Sequence, residues 1–352
     1  MIKVVKLYSN EIVFRGHPWP DKVSDQISDA LLDAYLAQDK NSRCGIEVVG
    51  GKGKIFITGE VTSTANVNVE DVVNRVLTDV GYSTNYEIIN NIGIQSPDIA
   101  LGTNDDVGGA GDQGMVFGYA CNETDELLPV AMVILQKLSM QYDELRKKDS
   151  RFLPDGKAQI TGIYDDNMKL QRIKDFTISY QNTERERAIT DLIIKDIALK
   201  ICSEYEICVD RFLINPTGKF LIGGFEGDAG LTGRKIVVDT YQSFAPVGGG
   251  AFSGKDPTKV DRSGAYKARE MAKEIVKKNN LKWCIVQLSY AIGIAEPLAI
   301  YITTDKGAVD STLNPDQFKQ MYKQCTPKNI INDLHLKDIC YEKLARFGHF
   351  TD

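Results

Sequence analysis

GDAGLTGRK (residues 227–235) and GGGAFSGKDPTKVDRS (residues 248–263) are the two stretches from which the rest of this chain can be read. Between Gly227 and Ser263 five cations (Arg234, Lys235, Lys255, Lys259 and Arg262) stand among four aspartates (Asp228, Asp239, Asp256 and Asp261) and a run of glycines. A surface that only neutralises phosphate is one-sided in sign. Lys and Arg alternating with Asp suit instead a polyphosphate arriving with magnesium, the cations meeting oxygens and the carboxylates holding the metal. Gly249, Gly254 and Lys255 also satisfy the GxxxxGK part of a P-loop. The next residue is Asp256, where a P-loop needs a hydroxyl, and Pro257 disfavours helical backbone just before it. The pattern argues against a P-loop fold and leaves a glycine turn whose amides can approach an anion.

Outward from there, one or two strand-like runs followed by an amphipathic helix recur at intervals of roughly a hundred residues. In the first unit Val23, Ile27, Ala30, Leu31 and Ala34 keep one helical face apolar, with Asp21 at the N-cap. Asp25, Asp29 and Asp33 share another face of that helix, read as solvated. Cys44–Val49 and Lys54–Val61 read as a hairpin across GGKG, and Val69, Val72, Val73, Val76 and Val80 as a helix ending at Gly81. The second unit has a strand at Met115–Cys121, a helix from Leu127 to Lys148, strands at Ala158–Tyr164 and Arg172–Tyr180, and a helix near Glu184–Cys202. The third has a strand at Lys235–Thr240, a helix carrying Ala268, Met271, Ala272 and Ile275, strands at Cys284–Ile292 and Ala299–Thr304, and polar helices to the end. Ala100–Gly111 is Gly- and Asp-rich and reads as a mobile loop. These runs predict an α+β protein in three units, over residues 4–98, 110–222 and 224–349.

Bulk properties narrow the function. A length of 352 residues supports two or three cores. The net charge of −6 offers no general attraction to nucleic acid or anionic membrane, so any anion site must be local. Seven scattered cysteines without a CxxC pair point to reduced thiols rather than a zinc site. Neither a signal peptide nor a membrane-length apolar run is present, so a cytoplasmic location is expected. GHPWPDK (16–22) sets His17, Asp21 and Lys22 at a helix start, and GAGDQG (109–114) places Asp112 in a turn able to accept from an ammonium group. Each is weak alone: a single histidine beside proline is more often structural.

Taken together, GHP..DK, DQISDA, QSPDI, GAGDQG, GKAQIT, NPTGKF, GDAGLTGRK, GGGAFSGKDPTKVDRS, SYAIG and FGHF follow in order from end to end. In that order they resemble the S-adenosylmethionine synthetase (methionine adenosyltransferase) family. The resemblance implies three similar α/β-sandwich units with pseudo-threefold symmetry, and a homodimer, possibly paired into a tetramer, with active sites between subunits. It implies ATP and L-methionine as substrates and Mg2+ and K+ as cofactors. Carried onto this chain, it assigns His17 to triphosphate, Asp21 and Asp261 to magnesium and Glu47 to potassium. Glu60 and Gln95 fall around methionine, Asp112 near the methionine amine and ribose, and Phe220 near adenine. Asp155 and Lys157 match the central motif, the lysine facing phosphate. Asp228, Arg234, Lys235, Lys255 and Lys259 match the nucleotide and phosphate set. The chain departs from the pattern at Trp19-Pro20, inserted within GHPDK, at Phe14-Arg15 in place of Ser-Glu, in a shorter loop after Gln95, and in a short end after GHF.

The implied reaction has a thioether sulfur attack C5′ of ATP and expel tripolyphosphate, which is then hydrolysed. A neutral thioether needs no general base, in keeping with only three histidines. The leaving group carries four or more negative charges, so preorganised cations and magnesium are the main demand. Two other readings remain at this level: a non-catalytic ATP- or methionine-binding homologue, and a tripolyphosphatase without alkyl transfer.

Overall fold

A computed structural model of the chain describes residues 6–17, 21–95, 108–308 and 315–351. Trp19-Pro20 and most of the Ala100–Gly111 loop lie outside the described residues. The first third runs β1 (Lys6–Val13), α1 (Lys22–Gln38), β2 (Arg43–Gly51), β3 (Lys54–Thr62), α2 (Val69–Val80) and β4 (Glu87–Gly93). The second runs β5 (Gly114–Cys121), α3 (Val130–Lys148), β6 (Phe152–Tyr164), β7 (Leu170–Asn182), α4 (Arg187–Glu204) and β8 (Val209–Ile214). The last opens with α5 (Gly224–Gly227), β9 (Gly230–Leu231), α6 (Ile236–Asp239) and α7 (Val260–Asn279). It continues through β10 (Trp283–Tyr290), β11 (Ala299–Thr304) and β12 (Gly307–Ala308) to α8 (Pro315–Gln324), α9 (Pro327–Asp333) and α10 (Tyr341–Leu344).

The β2–β3 hairpin follows from its sequence. Cys44, Ile46, Val48, Ile55 and Ile57 alternate inward and are buried, and the turn falls at Lys52 and Gly53, both at positive φ. Helix α2 presents Val69, Val73, Val76, Leu77 and Val80 to the core and ends on Gly81 at φ 95. Helix α3 starts at Val130 rather than Leu127, because Pro129 occupies the cap and Leu127 is left-handed at φ 56.

The described residues form three four-stranded sheets, ordered β4-β3-β2-β9, β1-β6-β7-β8 and β12-β11-β10-β5. No sheet is built from one sequence third alone. The leading strand of each third joins another third's sheet: β1 pairs with β6, β5 with β10 and β9 with β2. The exchange closes into a ring and gives the molecule its threefold character. Each sheet buries one face under helices in its own apolar core. The opposite faces keep apolar side chains in the open, among them Val49, Phe56, Met115 and Tyr301.

Lys235–Thr240 is not a strand. Helical spacing there buries Val238 and Asp239 together while Val237 stays exposed, and the Asp239 amide bonds the Lys235 carbonyl at 2.8 Å. The buried carboxylate of Asp239 pairs with Lys22, a tertiary contact that overrides the β-branched composition. No described helix is long and apolar enough to cross a membrane.

Candidate active site

Asp21 precedes α1 in a left-handed conformation at φ 83 and does not cap that helix. Its Oδ1 accepts the backbone amide of Leu231 instead, drawing the GDAGLTGRK loop onto the helix start. Its Oδ2 is 3.4 Å from Arg234 Nε and has no hydrogen-bond partner among the described residues. Burial pushes the Asp21 carboxyl up to about 7, against the Leu231 amide and the Arg234 charge. Burial likewise lowers the neighbouring Lys235, which lies in the field of Glu11, Lys157, Asp21 and Arg234. Lys157 stands on the outer face of β6, paired with Glu11 of β1 at 2.6 Å. His17 is buried; its Nδ1 bonds Asp155 and its Nε2 has no hydrogen-bond partner among the described residues. The other Asp155 oxygen accepts the Gly224 amide at 3.0 Å. This ties the segment carrying Phe220 and Asp228 to the same neighbourhood, with Phe220 half-buried and Asp228 exposed. One cluster thus gathers His17, Asp21, Asp155, Lys157, Arg234 and Lys235.

A second cluster lines a cavity of about 490 Å³ between the outer face of β2–β3 and the start of α7. Glu47, Glu60, Asp112, Lys255, Lys259 and Asp261 all face it. Lys255 Nζ donates to Asp261 Oδ2 at 2.5 Å. A Cβ at Gly250 would sit 2.0 Å from the Asp261 carboxyl carbon, so only glycine lets that carboxylate lie against the loop. Asp256 is not a failed P-loop residue: its Oδ2 accepts the Cys44 amide at 2.8 Å, and α7 begins only at Val260. Among the described residues no hydrogen bond or ion pair joins the two clusters. Gln95 stands two residues past β4, whose last residue, Gly93, pairs with Glu60.

Sequence models of the S-adenosylmethionine synthetase N-terminal, central and C-terminal domains match residues 5–97, 107–220 and 222–352. The chain is 42% identical to the S-adenosylmethionine synthase of Clostridium tetani, over 98% of this chain and 94% of that one. It is 41% identical to that of Prochlorococcus marinus strain AS9601 and 40% to that of Helicobacter pylori strain J99, in each case over 98% of this chain and 92% of the relative. The chain belongs to the S-adenosylmethionine synthetase family. Its three-sheet α+β architecture is the three-unit fold of that family.

Two expectations from sequence change against this frame. The aspartates of α1 do not form a solvated face: Asp25 and Asp29 are fully buried and Asp33 is half-buried. The amides of Leu231, Gly233 and Gly254 are directed at α1 carboxylates, so these glycine-loop amides do not form an open anion nest. Sequence reasoning also missed Glu11, the partner of Lys157, because a lone glutamate in a polar strand carries no signal. The four-residue spacing of Asp21, Asp25, Asp29 and Asp33 was such a signal.

The carboxylates fit a magnesium ion partly. Asp21 keeps a buried oxygen without a hydrogen-bond partner among the described residues, and hard carboxylate oxygens are the donors Mg2+ takes. Among the described residues no three His, Cys, Asp or Glu side chains come together as a complete cage. That is the donor set expected where phosphate oxygens and water complete the shell.

Proposed function

We propose that this chain is a methionine adenosyltransferase whose active site is assembled from the two clusters on different copies of the chain. In the reaction the methionine sulfur lone pair forms a bond to C5′ of ATP. The C5′–O bond breaks, its electrons leave with tripolyphosphate, and water then divides that product into diphosphate and phosphate. No proton is removed from the nucleophile. The burden falls on the leaving group, so cations preset for its developing charge supply the largest effect. Lys157, Arg234 and Lys235 from one cluster and Lys255 and Lys259 from the other hold the phosphates, with His17 Nε2 directed at the same chain. Asp155 orients His17 by accepting from Nδ1. Asp21 and Asp261 hold magnesium, which when bound neutralises charge on the phosphate oxygens. Glu47 holds potassium, Glu60, Gln95 and Asp112 bind methionine and ribose, and Phe220 and Asp228 bind the nucleoside.

The observation that carries this reading is the charge balance of the first cluster. Among the described residues the three cations there meet Glu11 and Asp21, with burial pushing the Asp21 carboxyl up to about 7 and lowering the pKa of Lys235. An anion of high charge is the complement of that arrangement. The split into two clusters supports a dimer, since Glu47 and Glu60 lie on the outer face of the β2–β3 hairpin, which leaves Val49 and Phe56 uncovered. The seven unpaired cysteines accord with the cytoplasm. Incubation with ATP, methionine, Mg2+ and K+, read by mass, tests the activity. Sulfonium product with diphosphate and phosphate is expected. Phosphate release without sulfonium product points to a tripolyphosphatase, and binding without turnover to a non-catalytic homologue.

A further inference from the structure

Four carboxylates spaced four residues apart run along α1, and each accepts backbone amides from the last third of the chain. Asp21 takes Leu231, Asp25 takes Gly233, Asp29 takes Gly254, and Asp33 takes both Tyr341 and Glu342. Asp29 does more than its neighbours. Its Oδ1 lies 2.8 Å from the Gly254 amide, and its two oxygens receive one nitrogen of Arg262 at 2.8 and 2.6 Å. The other terminal nitrogen of Arg262 donates to the Lys255 carbonyl at 3.0 Å, and the guanidinium lies 4.4 Å over the Tyr341 ring. Both charged side chains are entirely buried. The backbone from the Gly254 amide to the Lys255 carbonyl is therefore clamped at both ends. It has no slack between them: Gly254 is at φ 81, and a Cβ there would stand 1.9 Å from the Ile46 carbonyl oxygen.

We propose that Asp29 and Arg262 are positioning residues for Lys255, and that Asp25, through the Gly233 amide, does the same for Arg234 and Lys235. The inference rests on the reading of those lysines and Arg234 as groups that meet the leaving phosphates. One rigid helix, rising about 6 Å per four residues, then fixes the spacing of two cation-bearing loops from separate clusters. Arginine is required at 262 because one planar fork reaches both Asp29 and the Lys255 carbonyl, whereas a lysine head neutralises the carboxylate but leaves the carbonyl.

The full chain carrying Arg262→Lys tests this. The kcat for sulfonium formation and for hydrolysis of added tripolyphosphate should each fall about tenfold or more, the cost of a misplaced reacting group. The KM for methionine should stay within about twofold, since on that reading Lys255 meets phosphate rather than methionine. Normal kcat in a folded variant overturns the proposal. If Arg262→Lys does not fold, Asp29→Glu keeps both charges and displaces the carboxylate by one methylene; the same split is expected, and normal kcat again overturns it. Amide hydrogen exchange on the wild-type chain supplies a readout independent of activity. Strong protection at Gly233 and Gly254 is expected, and exchange at the rate of an open loop contradicts the clamp. Should the wild type form no sulfonium product, the functional reading fails, and the exchange rates still decide whether the clamp exists.

Discussion

Lys255 concentrates the chemistry of the second cluster in one side chain. Its ammonium meets Asp261 at 2.5 Å inside the cavity that also holds Lys259, Glu60 and Asp112. On the proposed reading, removing it deletes a charge that meets the leaving group, and it leaves Asp261 without this contact. Lys255→Ala should lower turnover by ~10²–10³-fold, the scale of losing one preset charge-stabilising donor. Steady-state kcat measured at saturating ATP and methionine checks this, and near-normal turnover would rule the role out. The residue types around Lys255 were readable because lysines and aspartates alternate there. What holds them was not: Asp29 reaches Gly254 across more than two hundred residues, and nothing in GGGAFSGKD names that partner.

At the scale of single elements, sequence was informative wherever burial is set by local period. The β2–β3 hairpin and α2 formed as their alternation and 3.6-residue spacing required. Strand β1 and strand β4 are polar and mixed, and β9 is two residues long, so each exists through its partner strand rather than its own pattern. Helix α6 shows the converse, a β-branched run wound into a turn by the Lys22–Asp239 contact. Asp33, the last rung on α1, makes a sharp contrast with Asp29. It accepts the Tyr341 and Glu342 amides at 2.9 and 3.0 Å, tethering α10 rather than a cation-bearing loop. Asp33→Ala should cost about 1–2 kcal/mol by leaving those donors without an acceptor. A melting temperature lowered by a few degrees with kcat near wild type is expected. A collapse of kcat at unchanged stability would contradict that division of roles.

Over the whole molecule, ion pairs join regions that no local pattern connects. Arg15 is buried with Gln26, Asp79 and Asp143 around it, and Asp79 also meets Arg346. Burial alone would raise the Asp79 carboxyl, but Arg15 and Arg346 outweigh it and hold the group below its ordinary 3.8. A depressed folded value means that the stability Asp79 contributes is present above pH 3.8 and lost as pH falls through the folded value. The difference in melting temperature between wild type and Asp79→Asn should therefore be constant from pH 7 to 5 and shrink toward pH 3. A difference that grows on acidification would contradict the sign.

The proposed division of the site between two copies matters most, because on that account one chain is an incomplete enzyme. On that account Lys157→Ala and Lys255→Ala should each disable the site, and co-expression of the two should form mixed dimers. If sites form between copies, each mixed dimer retains one site with both lysines intact, and random pairing should restore about a quarter of wild-type sulfonium formation. If each chain holds its own complete site, every site in the mixture lacks one lysine, and activity no higher than that of the single variants would contradict the account.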